Sequence, residues 1–356
     1  MPKRTDRTNR VKREDVAKLA GVSPATVSYV LNHTKKLSPE VENRVREAVK
    51  QLNYKPDRIA QTLAGNRTNT IAFLTSDITN TYQLDVIKGL QAEALKYNYI
   101  IYIFDIFGDV GNYIEHLISR RVDGVFISAT TDILSDELLC VLRDANIKVL
   151  SDMSRNTFLE GVSYVVADRV SGIDGAVEYL KGLGHRKIGF LSGFDENWVY
   201  DDRVSAFKQA MKKYFGDDDP VVVYGNRATT TKVGKALMRE MIAKHPEVTA
   251  VLTTNDMMAI GAIEAAHDAG LSVPQDVSVI GFDNLDRSAT CEPPLTTIDQ
   301  NGKLFGKKLF GILKDEIENG AVGNYILPVK LIVRESTGQA TAGSSSPFLL
   351  PTEKLN

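Results

Sequence analysis

Apolar and polar positions alternate in blocks along most of the chain, from Ile71 to about Thr337. Short apolar runs such as IAFL, DGVFIS, KIGFLS, AVLTT and VSVIGF are separated by amphipathic stretches such as VIKGLQAEALKYN and GAVEYLKGLG. Continuous apolar runs spaced by helices are typical of βαβ units with parallel strands. Because about 270 residues would form an unusually large single sheet domain, the pattern predicts two similar α/β halves.

The first part of the chain has a helical period and predicts three short helices between residues 13 and 53. The first ends at Gly21, and Ser-Pro pairs at 23–24 and 38–39 supply a capping hydroxyl and an N-terminal proline for the next two. The apolar stripes are Val16, Leu19 and Ala20, then Val27, Val30 and Leu31, then Val41, Val45, Val49 and Leu52. This order predicts a helix-turn-helix, whose second helix enters the major groove of DNA. The alternative is an ordinary three-helix fragment.

Charge separates the same two parts of the chain. The whole sequence has a formal net charge of −2, with 43 Lys and Arg against 45 Asp and Glu. Residues 1–69 carry 15 basic and 7 acidic side chains, a net charge of +8, whereas the remaining 287 residues carry −10. A small basic head on a larger acidic body indicates a nucleic-acid-binding module joined to a second module.

Several classes of protein are disfavoured by what the sequence contains. Two isolated cysteines, Cys140 and Cys291, cannot build a disulfide framework and fit a reducing compartment. We find no apolar leader at the N-terminus and no run long enough for a membrane span, so we expect a cytoplasmic protein at the nucleoid. The five histidines have no metal-ligand spacing, and neither a phosphate-binding glycine loop nor a G-x-S-x-G motif is present. We therefore expect no enzyme activity, metal or cofactor.

The segments EDVAKLAGVSPATVSYVLN and LNYKPDRIAQTLAG closely resemble the LacI/GalR family of bacterial transcriptional repressors. The resemblance continues through SRRVDGVFI, GHRKIGFLSG, TTNDMMAIGAI, VPQDVSVIGFDN and PPLTTIDQ and covers roughly residues 11–338. A long series of ordered matches is far more specific than a single motif. The resemblance implies an all-α helix-turn-helix headpiece, a hinge helix, and a two-lobed α/β body of doubly wound parallel sheets like that of periplasmic sugar-binding proteins.

The domain organisation that we expect follows from this resemblance. It comprises a basic arm (1–12), the helix-turn-helix headpiece (13–55), a hinge helix and linker (56–69), an effector-binding and dimerisation domain (70–338) and a disordered tail (339–356). Within the body, the N-lobe should span about 70–163 and 297–327, and the C-lobe about 164–296 and 328–338. The tail TAGSSSPFLLPTEKLN lacks the leucine heptads of tetrameric relatives, which favours a dimer.

The resemblance also implies which residues contact DNA. Base-reading positions fall at Pro24, Ala25 and Tyr29, of which the first two offer only apolar contact, for example to a thymine methyl. Alternatively, Tyr29 packs on the third helix. Thr26, Ser28 and Asn32 match positions that contact the DNA backbone and carry no sequence information. The full predicted set is Ser23, Pro24, Ala25, Thr26, Ser28, Tyr29, Asn32, Arg58, Ala60 and Leu63.

The segment PDRIAQTLAG, residues 56–65, resembles the hinge helix of the family. A helix of fewer than about 12 residues is marginal alone in water, so we expect it to form only when two copies pack together on DNA. In the family the leucine matching Leu63 inserts into the minor groove and kinks the duplex. The alternative is a passive linker.

Ligands of open α/β sheets bind beyond the carboxyl ends of the strands. The residues at those positions are rich in carboxylates and amides, beside one arginine and the only tryptophan, a mixture that suits a sugar. Together with the family correspondence, this predicts effector contacts at Ser76, Asp152, Asn197, Trp198, Arg203, Asn255 and Asp283. Asp256 matches a helix-capping position of the family and is interpreted as structural.

Three alternatives for these residues stay open. Arg203 and Asp283 can form a salt bridge with no ligand role, and Ser76 and Asp152 can simply cap strand ends. Purine-responsive members of the family carry a second arginine where this chain has Asn197, which argues against a purine effector. Many members stack the effector on an aromatic side chain near position 227, where this chain has Arg227, and Trp198 can substitute for it.

The sequence therefore predicts a homodimeric repressor that binds a palindromic, double-stranded DNA operator and is switched by a small-molecule effector, a sugar or sugar derivative. One alternative is the same DNA-binding regulator controlled by a protein corepressor. Another is a solute-binding transport protein, against which the missing signal peptide and the basic headpiece both count.

Overall fold

Two structural units, Met1–Thr68 and Asn69–Asn356, make up the chain in the computed structural model. The structure describes residues 11–32, 35–54, 67–106, 110–128, 135–152, 161–198 and 201–340. The expected hinge helix, most of the basic arm and most of the tail lie outside these residues. The division between the units falls where the net charge of the sequence changes sign.

The first unit contains α1 (Arg13–Ala20), α2 (Pro24–Asn32) and α3 (Pro39–Gln51). Gly21 ends α1 with a left-handed backbone, φ +64°, a conformation that glycine adopts without a Cβ clash. Ser23 and Ser38 accept hydrogen bonds from backbone N–H groups three residues ahead, as the capping pattern predicted. A small core holds the helices together, formed by Val16, Ala17, Ala20, Val27, Val30, Val45 and Ala48.

The second unit contains two six-stranded sheets. The first has the order β11-β5-β4-β3-β1-β2 and is parallel throughout. Its strands are β1 (Thr70–Thr75), β2 (Ile100–Asp105), β3 (Gly124–Ile127), β4 (Lys148–Ser151), β5 (Ser163–Ala167) and β11 (Asn324–Leu327). The helices that pack on it are α4 (Thr81–Lys96), α5 (Val110–Ser119), α6 (Asp136–Asp144) and α11 (Gly302–Asn319).

The second sheet has the order β12-β10-β9-β8-β6-β7, with only β12 antiparallel to its neighbour. Its strands are β6 (Ile188–Ser192), β7 (Val222–Tyr224), β8 (Ala250–Thr253), β9 (Ser278–Asp283), β10 (Thr296–Asp299) and β12 (Lys330–Ile332). The helices α7 (Arg169–Gly182) and α8 (Arg203–Phe215) cover one face, and α9 (Thr231–Lys244) and α10 (Asp256–Asp268) the other. Each sheet therefore forms its own doubly wound lobe, which we call the N-lobe and the C-lobe.

Three segments cross between the lobes, and the first two lie within a few residues of the approximate lobe boundaries expected from the sequence. All of β5 pairs within the first sheet, so the first crossing follows Ala167 instead of residue 163. Strand β10 pairs with β9 as far as Asp299, so the second crossing follows that residue and not residue 296. Hydrophobicity alone does not reveal which sheet a buried strand joins, because both sheets bury their strands on two faces.

In each lobe one pair of helices crosses at glycines on both partners. A Cβ on Gly306 of α11 would come within 2.0 Å of the Val86 carbonyl oxygen, and one on Gly89 of α4 within 2.0 Å of the Lys303 carbonyl oxygen. In the C-lobe, Gly234 of α9 and Gly261 of α10 show the same reciprocal contact with the partner backbone. These crossings bring backbones together with no side chain between them.

The close crossing predicts a cost for enlarging Gly306. In Gly306→Ala the new methyl meets a backbone carbonyl, so we expect a loss of about 1–3 kcal/mol in the free energy of unfolding, the usual cost of overpacking. Gly311→Ala in the same helix is the matched control, because nothing lies within 4 Å of its Cβ position. That variant should gain up to about 1 kcal/mol from helix propensity. Guanidinium unfolding followed by circular dichroism measures both, and equal midpoints for the two variants would contradict the packing.

Candidate functional site

Helix α2 presents the predicted base-reading residues to solvent. Pro24 and Ala25 are exposed and Tyr29 is 40% exposed, whereas Val27 and Val30 of the same helix are buried in the core of the unit. At 40% exposure Tyr29 is also partly buried, so the alternative in which it packs on the third helix stays open. The Lys35 ammonium lies 5.7 Å from the centre of the Tyr29 ring, which brings a positive charge to the same surface.

The residues predicted to contact the DNA backbone lie beside this surface. Ser23 and Thr26 share a hydrogen bond of 2.9 Å at the start of α2. The Ser28 hydroxyl donates to the Pro24 carbonyl (3.2 Å) and accepts from the Arg13 guanidinium (3.0 Å). The side chain of Asn32, and the residues Arg58, Ala60 and Leu63, lie outside the described part of the structure, so their DNA contacts stay predictions.

In the second unit, the predicted effector residues lie at or just beyond strand ends. Ser76 follows β1, Asp152 follows β4, Asn255 lies two residues beyond β8, Asp283 is the last residue of β9, and Arg203 begins α8. Both sheets thus contribute polar side chains at their carboxyl ends. We refer to Asp152, Arg169, Asp201, Asp202, Arg203 and Asp283 as the cleft charge cluster, because each of these side chains acts electrostatically on at least one other member.

Arg203 pairs with Asp201 and not with Asp283. Its Nε lies 2.9 Å from both carboxylate oxygens of Asp201, and its Nη1 donates to the Thr254 carbonyl at the end of β8. Burial alone raises the pKa of Asp201, but the charge and hydrogen bonds of Arg203 lower it below its ordinary value, so the carboxylate is ionised. The alternative in which Arg203 forms a salt bridge with Asp283 is therefore replaced by an ion pair between Arg203 and Asp201, which are near neighbours in sequence.

A second buried arginine, Arg169, is part of the same cluster. Its Nε donates to Asp202 at 2.8 Å, and both side chains are nearly buried, 11% and 6% exposed. Burial tends to lower the pKa of Arg169, and the carboxylates of Asp202 and Asp201 raise it above its ordinary value. The sequence reasoning missed Arg169, although it follows the carboxyl end of β5, where the rule for open sheets directs attention.

Asp283 is a buried carboxyl group whose hydrogen-bond partner is a neutral amide. Its side chain is 7% exposed, and its Oδ1 accepts a hydrogen bond of 2.6 Å from Nε2 of Gln300 in the second crossing. Burial, followed by the charge of Asp256, raises its pKa well above the ordinary value, and Arg203 opposes this. The backbone of Asp283 also has a φ of +126°, a conformation that side chains other than glycine rarely adopt.

Tyr82, in the first turn of α4, places a hydroxyl among these charges. The hydroxyl oxygen is buried and has no hydrogen-bond partner among the described residues. Burial raises the pKa of Tyr82 well above its ordinary value; Asp283 and Asp152 raise it further, and Arg169 and Arg203 lower it, so all four groups act on the tyrosine. A buried hydroxyl without a partner is costly. Tyr82 is thus a candidate ligand contact that the sequence reasoning missed, because its helix position looked like ordinary amphipathic packing.

Asn255 and Asp256 hold the C-lobe together. Asn255 caps α10 by accepting from the Met258 N–H at 3.0 Å, and its amide donates to the Thr229 carbonyl at 3.0 Å. Both ends of this predicted effector contact are therefore engaged within the protein. Asp256 is structural, as expected, but it caps no helix: its carboxylate accepts from Leu285, Ser288 and Thr297.

Asn197 and Trp198 belong to a neighbouring arrangement. Asn197 is exposed, and its N–H donates to Asp195 at 3.1 Å. The Trp198 ring stacks on Phe194 (centroids 5.4 Å apart, planes 8° apart), and the Arg227 guanidinium lies 4.5 Å from its centre and pairs with Asp195 at 3.0 Å. Many family members have an aromatic side chain at the position of Arg227, and Trp198 was expected to take its place. In the structure Arg227 lies directly on the Trp198 ring. The group borders a cavity of about 480 Å³ that Asp201, Lys208 and Tyr224 also line.

The chemistry of the site is that of recognition. Among the described residues no group of histidine, cysteine, aspartate or glutamate side chains could hold a metal ion, and no helix is long and apolar enough to cross a membrane. The buried His185 has the polar contacts of a structural residue: its ring nitrogens bond Thr249 (2.9 Å) and Ser278 (3.1 Å), and burial lowers its pKa. The cluster at the strand ends offers hydrogen-bonding groups of both kinds to a polar ligand.

Comparison with known proteins identifies relatives of both units. The family described as bacterial regulatory proteins, lacI family, matches residues 14–57, and the periplasmic binding protein-like domain matches residues 177–337. The HTH-type transcriptional repressor PurR of Vibrio atlanticus (strain LGP32) is 33% identical over 312 residues, which cover 86% of this chain and 92% of that protein.

Two solved structures resemble most of the chain. The Lac repressor dimer bound to operator and the anti-inducer ONPF has a TM-score of 0.78 and 29% identity, covering 93% of this chain and all of that one. The transcriptional regulator CelR in complex with cellobiose has a TM-score of 0.68 and 28% identity, covering 92% of this chain and all of that one. The helix-turn-helix and the two parallel-sheet lobes are thus shared with DNA-binding repressors, which are not enzymes.

The raised pKa of Asp283 predicts that its charge lowers the stability of the unliganded protein. Asp283→Asn keeps the acceptor for Gln300 and removes the charge, so we expect a higher melting temperature near pH 7. The folded state binds the Asp283 proton more tightly than the unfolded chain does, whose pKa is near 3.8. The wild type therefore loses this stability as the pH rises from about 4 through the raised pKa, and the advantage of the variant grows over that interval.

Thermal unfolding of both proteins between about pH 4 and pH 8 measures this difference. Asp218→Asn is the control, because it removes the same charge from a side chain that is 73% exposed. Equal melting temperatures of Asp283→Asn and wild type at pH 7 would refute the destabilising effect of the Asp283 charge. A difference in melting temperature that is the same at every pH would refute it as well.

Proposed function

Because this chain belongs to the lacI family of bacterial regulatory proteins, as a DNA-binding transcriptional repressor with an effector-binding domain, we propose how it is switched. In this proposal the protein binds a palindromic operator as a homodimer in the cytoplasm. A sugar or sugar derivative bound between the two lobes then sets the affinity for the operator. The observation that carries the effector proposal is the convergence of Tyr82, Asp283 and the two buried arginines at the carboxyl ends of the strands.

The proposed operator contacts use the surface of α2. Its exposed Pro24, Ala25 and Tyr29 would face base edges, and Ser23, Thr26, Ser28 and Asn32 the phosphates. The net charge of +8 in residues 1–69 supplies affinity that depends on salt and little on sequence. Arg58, Ala60 and Leu63 would add contacts at the operator centre, where Leu63 opens a base step in the minor groove.

A homodimer is supported by the free edge of the N-lobe. Strand β2 lies at the end of the first sheet and pairs only with β1 among the described strands. Ile100 and Ile103 on this strand are 39% and 40% exposed, and Leu84 of the adjoining α4 is 39% exposed. An apolar edge of this kind invites a second protein surface. Half-sites related by two-fold symmetry require such a dimer, and the Lac repressor was solved as one.

A sugar effector is supported by the mixture of groups in the cleft. The second oxygen of Asp283, the Tyr82 hydroxyl and the Arg203 guanidinium can bond vicinal hydroxyls, which act as donors and acceptors at once. The family member CelR, solved with cellobiose, and the Lac repressor have comparable lobes. Ser76 and Asp152 would complete the contacts from the N-lobe, and Trp198 would contribute only through the neighbouring aromatic group.

A purine is the second candidate effector. Repressors named PurR align with this chain over most of its length. The position where purine-responsive members carry a second arginine is the exposed Asn197, which favours the sugar. A protein corepressor on the surface of the body is a further alternative, and the solute-binding transport protein is disfavoured by the repressor headpiece.

The proposed switch passes from the cleft into the crossings between the lobes. Asp283 is held by Gln300, which lies in the second crossing, and Arg169 immediately follows the first. A ligand that bonds Asp283 and Arg169 therefore changes contacts of the segments about which the lobes rotate. Rotation of the N-lobes in a dimer would separate or hold together the hinge helices, with a coupling of about 1–3 kcal/mol.

Operator binding with and without candidate effectors tests the proposal. An operator is selected by the protein from random palindromic DNA, and its affinity is measured by fluorescence anisotropy with a panel of sugars and with hypoxanthine and guanine. We expect at least one sugar to change the affinity about 5–150-fold. A response to a purine alone supports the second candidate, and no response to any small molecule favours the protein corepressor.

Tyr82→Phe tests the predicted role of the buried hydroxyl. Because this hydroxyl has no hydrogen-bond partner among the described residues, its removal should leave the melting temperature unchanged or slightly higher. The affinity for the effector should fall about 2–10-fold, the value of one neutral hydrogen bond. Effector titrations of operator release measure the affinity, and Tyr97→Phe, on a tyrosine that is 48% exposed, is the control. Unchanged effector affinity in Tyr82→Phe would exclude the hydroxyl as a contact.

A further inference from the structure

The cleft charge cluster contains more acidic than basic groups. Four carboxyl groups, those of Asp152, Asp201, Asp202 and Asp283, accompany two guanidinium groups, those of Arg169 and Arg203. If Asp283 is protonated, three carboxyl groups still face two arginines.

Both arginines are already neutralised by ion pairs inside the protein. Arg203 is paired with Asp201 through two contacts of 2.9 Å, and Arg169 with Asp202 through one of 2.8 Å. The four side chains of these pairs are between 6% and 13% exposed, so water screens them weakly. A phosphate or carboxylate that reaches either of these two arginines therefore meets a guanidinium group whose charge is already paired with a carboxylate in a medium of low dielectric constant.

Asp201 controls the charge that Arg203 presents. The Asp201 carboxylate also accepts from the Arg203 backbone N–H at 2.9 Å, so the two residues form a closed ring at the start of α8. With its Nε side occupied, Arg203 points Nη1 at the Thr254 carbonyl at the carboxyl end of β8. In this state Arg203 acts as a hydrogen-bond donor whose charge is cancelled, which suits a hydroxyl and not an anion.

Resting on the proposed effector site, we infer that the cleft selects uncharged polyhydroxy ligands and excludes phosphorylated or carboxylated ones, with Asp201 as the specificity-determining residue. Neutral ligands exchange hydrogen bonds with Tyr82, Asp283 and Arg203 and leave both ion pairs intact. Anionic ligands bind only after an arginine leaves its carboxylate, which exposes a buried charge. Loss of the Asp201 charge should release Arg203 for an anion.

Matched ligand pairs on the wild-type protein give the first test. Ribose with ribose 5-phosphate, and glucose with glucose 6-phosphate, are compared by isothermal titration calorimetry on the full-length protein. In every pair that binds, the neutral sugar should bind at least tenfold more tightly than its phosphate. A sugar phosphate that binds more tightly than its parent sugar would overturn the inference, and it would leave the effector-switched repressor standing if it also changes operator affinity.

Asp201→Asn gives the second test and needs no identified effector. Inorganic phosphate is the probe, titrated against wild type, Asp201→Asn and the control Asp219→Asn, which loses the same charge from an exposed side chain that has no ion pair among the described residues. We expect at least a tenfold gain in phosphate affinity for Asp201→Asn and none for the control. An equal gain in both variants, or none in Asp201→Asn, contradicts the role of Asp201. Circular dichroism checks that Asp201→Asn is folded. If this variant does not fold, the comparison of neutral sugars with their phosphates on the wild-type protein tests the inference.

Failure of this inference and failure of the proposed function give different results. If anions bind the wild type tightly and release the operator, the charge selectivity is wrong and the regulator proposal holds. If neutral sugars bind in the cleft and leave operator affinity unchanged, the selectivity holds and the proposed switch is wrong.

Discussion

A single buried carboxylate organises the C-lobe side of the cleft. Asp256 begins α10 and is completely buried, and it accepts hydrogen bonds from the Leu285 N–H (2.8 Å) and from the hydroxyls of Ser288 and Thr297 (2.5 Å each). These donors come from two segments, so one side chain ties helix α10 to the turn after β9 and to β10. Gly281 is required beside it, because a Cβ there would lie 2.2 Å from the carboxylate. The turn that carries Asp283 is held in place by this network.

The side chains of Asp283 and Tyr82 in the cleft use only part of their hydrogen-bonding capacity among the described residues. Asp283 is buried in an uncommon backbone conformation with a neutral amide as its hydrogen-bond partner, and the hydroxyl of Tyr82 has none among the described residues. Such features cost stability, and folded proteins tolerate them where function requires them. In the proposed effector site, a ligand that supplies these hydrogen bonds would recover part of that cost, so the groups that lower the stability of the protein would also favour binding.

The fold followed from local sequence far more completely than the site did. Capping serines, the glycine after α1 and the spacing of Val27 and Val30 are read within a few residues, and the structure has the three helices they predict. The carboxyl-end rule likewise brought Asp152, Arg203 and Asp283 to one region. The ion-pair partners of the charged side chains were harder to predict. Whether Arg203 pairs with Asp201 or with Asp283 depends on packing between segments about eighty residues apart. Tyr82 has the sequence signature of any amphipathic helix, and only the packed structure shows that its hydroxyl is buried among charges.

The reciprocal glycine crossings have a mechanical consequence for the two lobes. Where α4 meets α11 and α9 meets α10, the backbones of the two helices are in direct contact at the glycines. At these points no side chain lies between the helices that could change rotamer when one helix is displaced. We therefore expect the two helices of each pair to move together, and the three segments that cross between the lobes to be more easily displaced than these helix pairs.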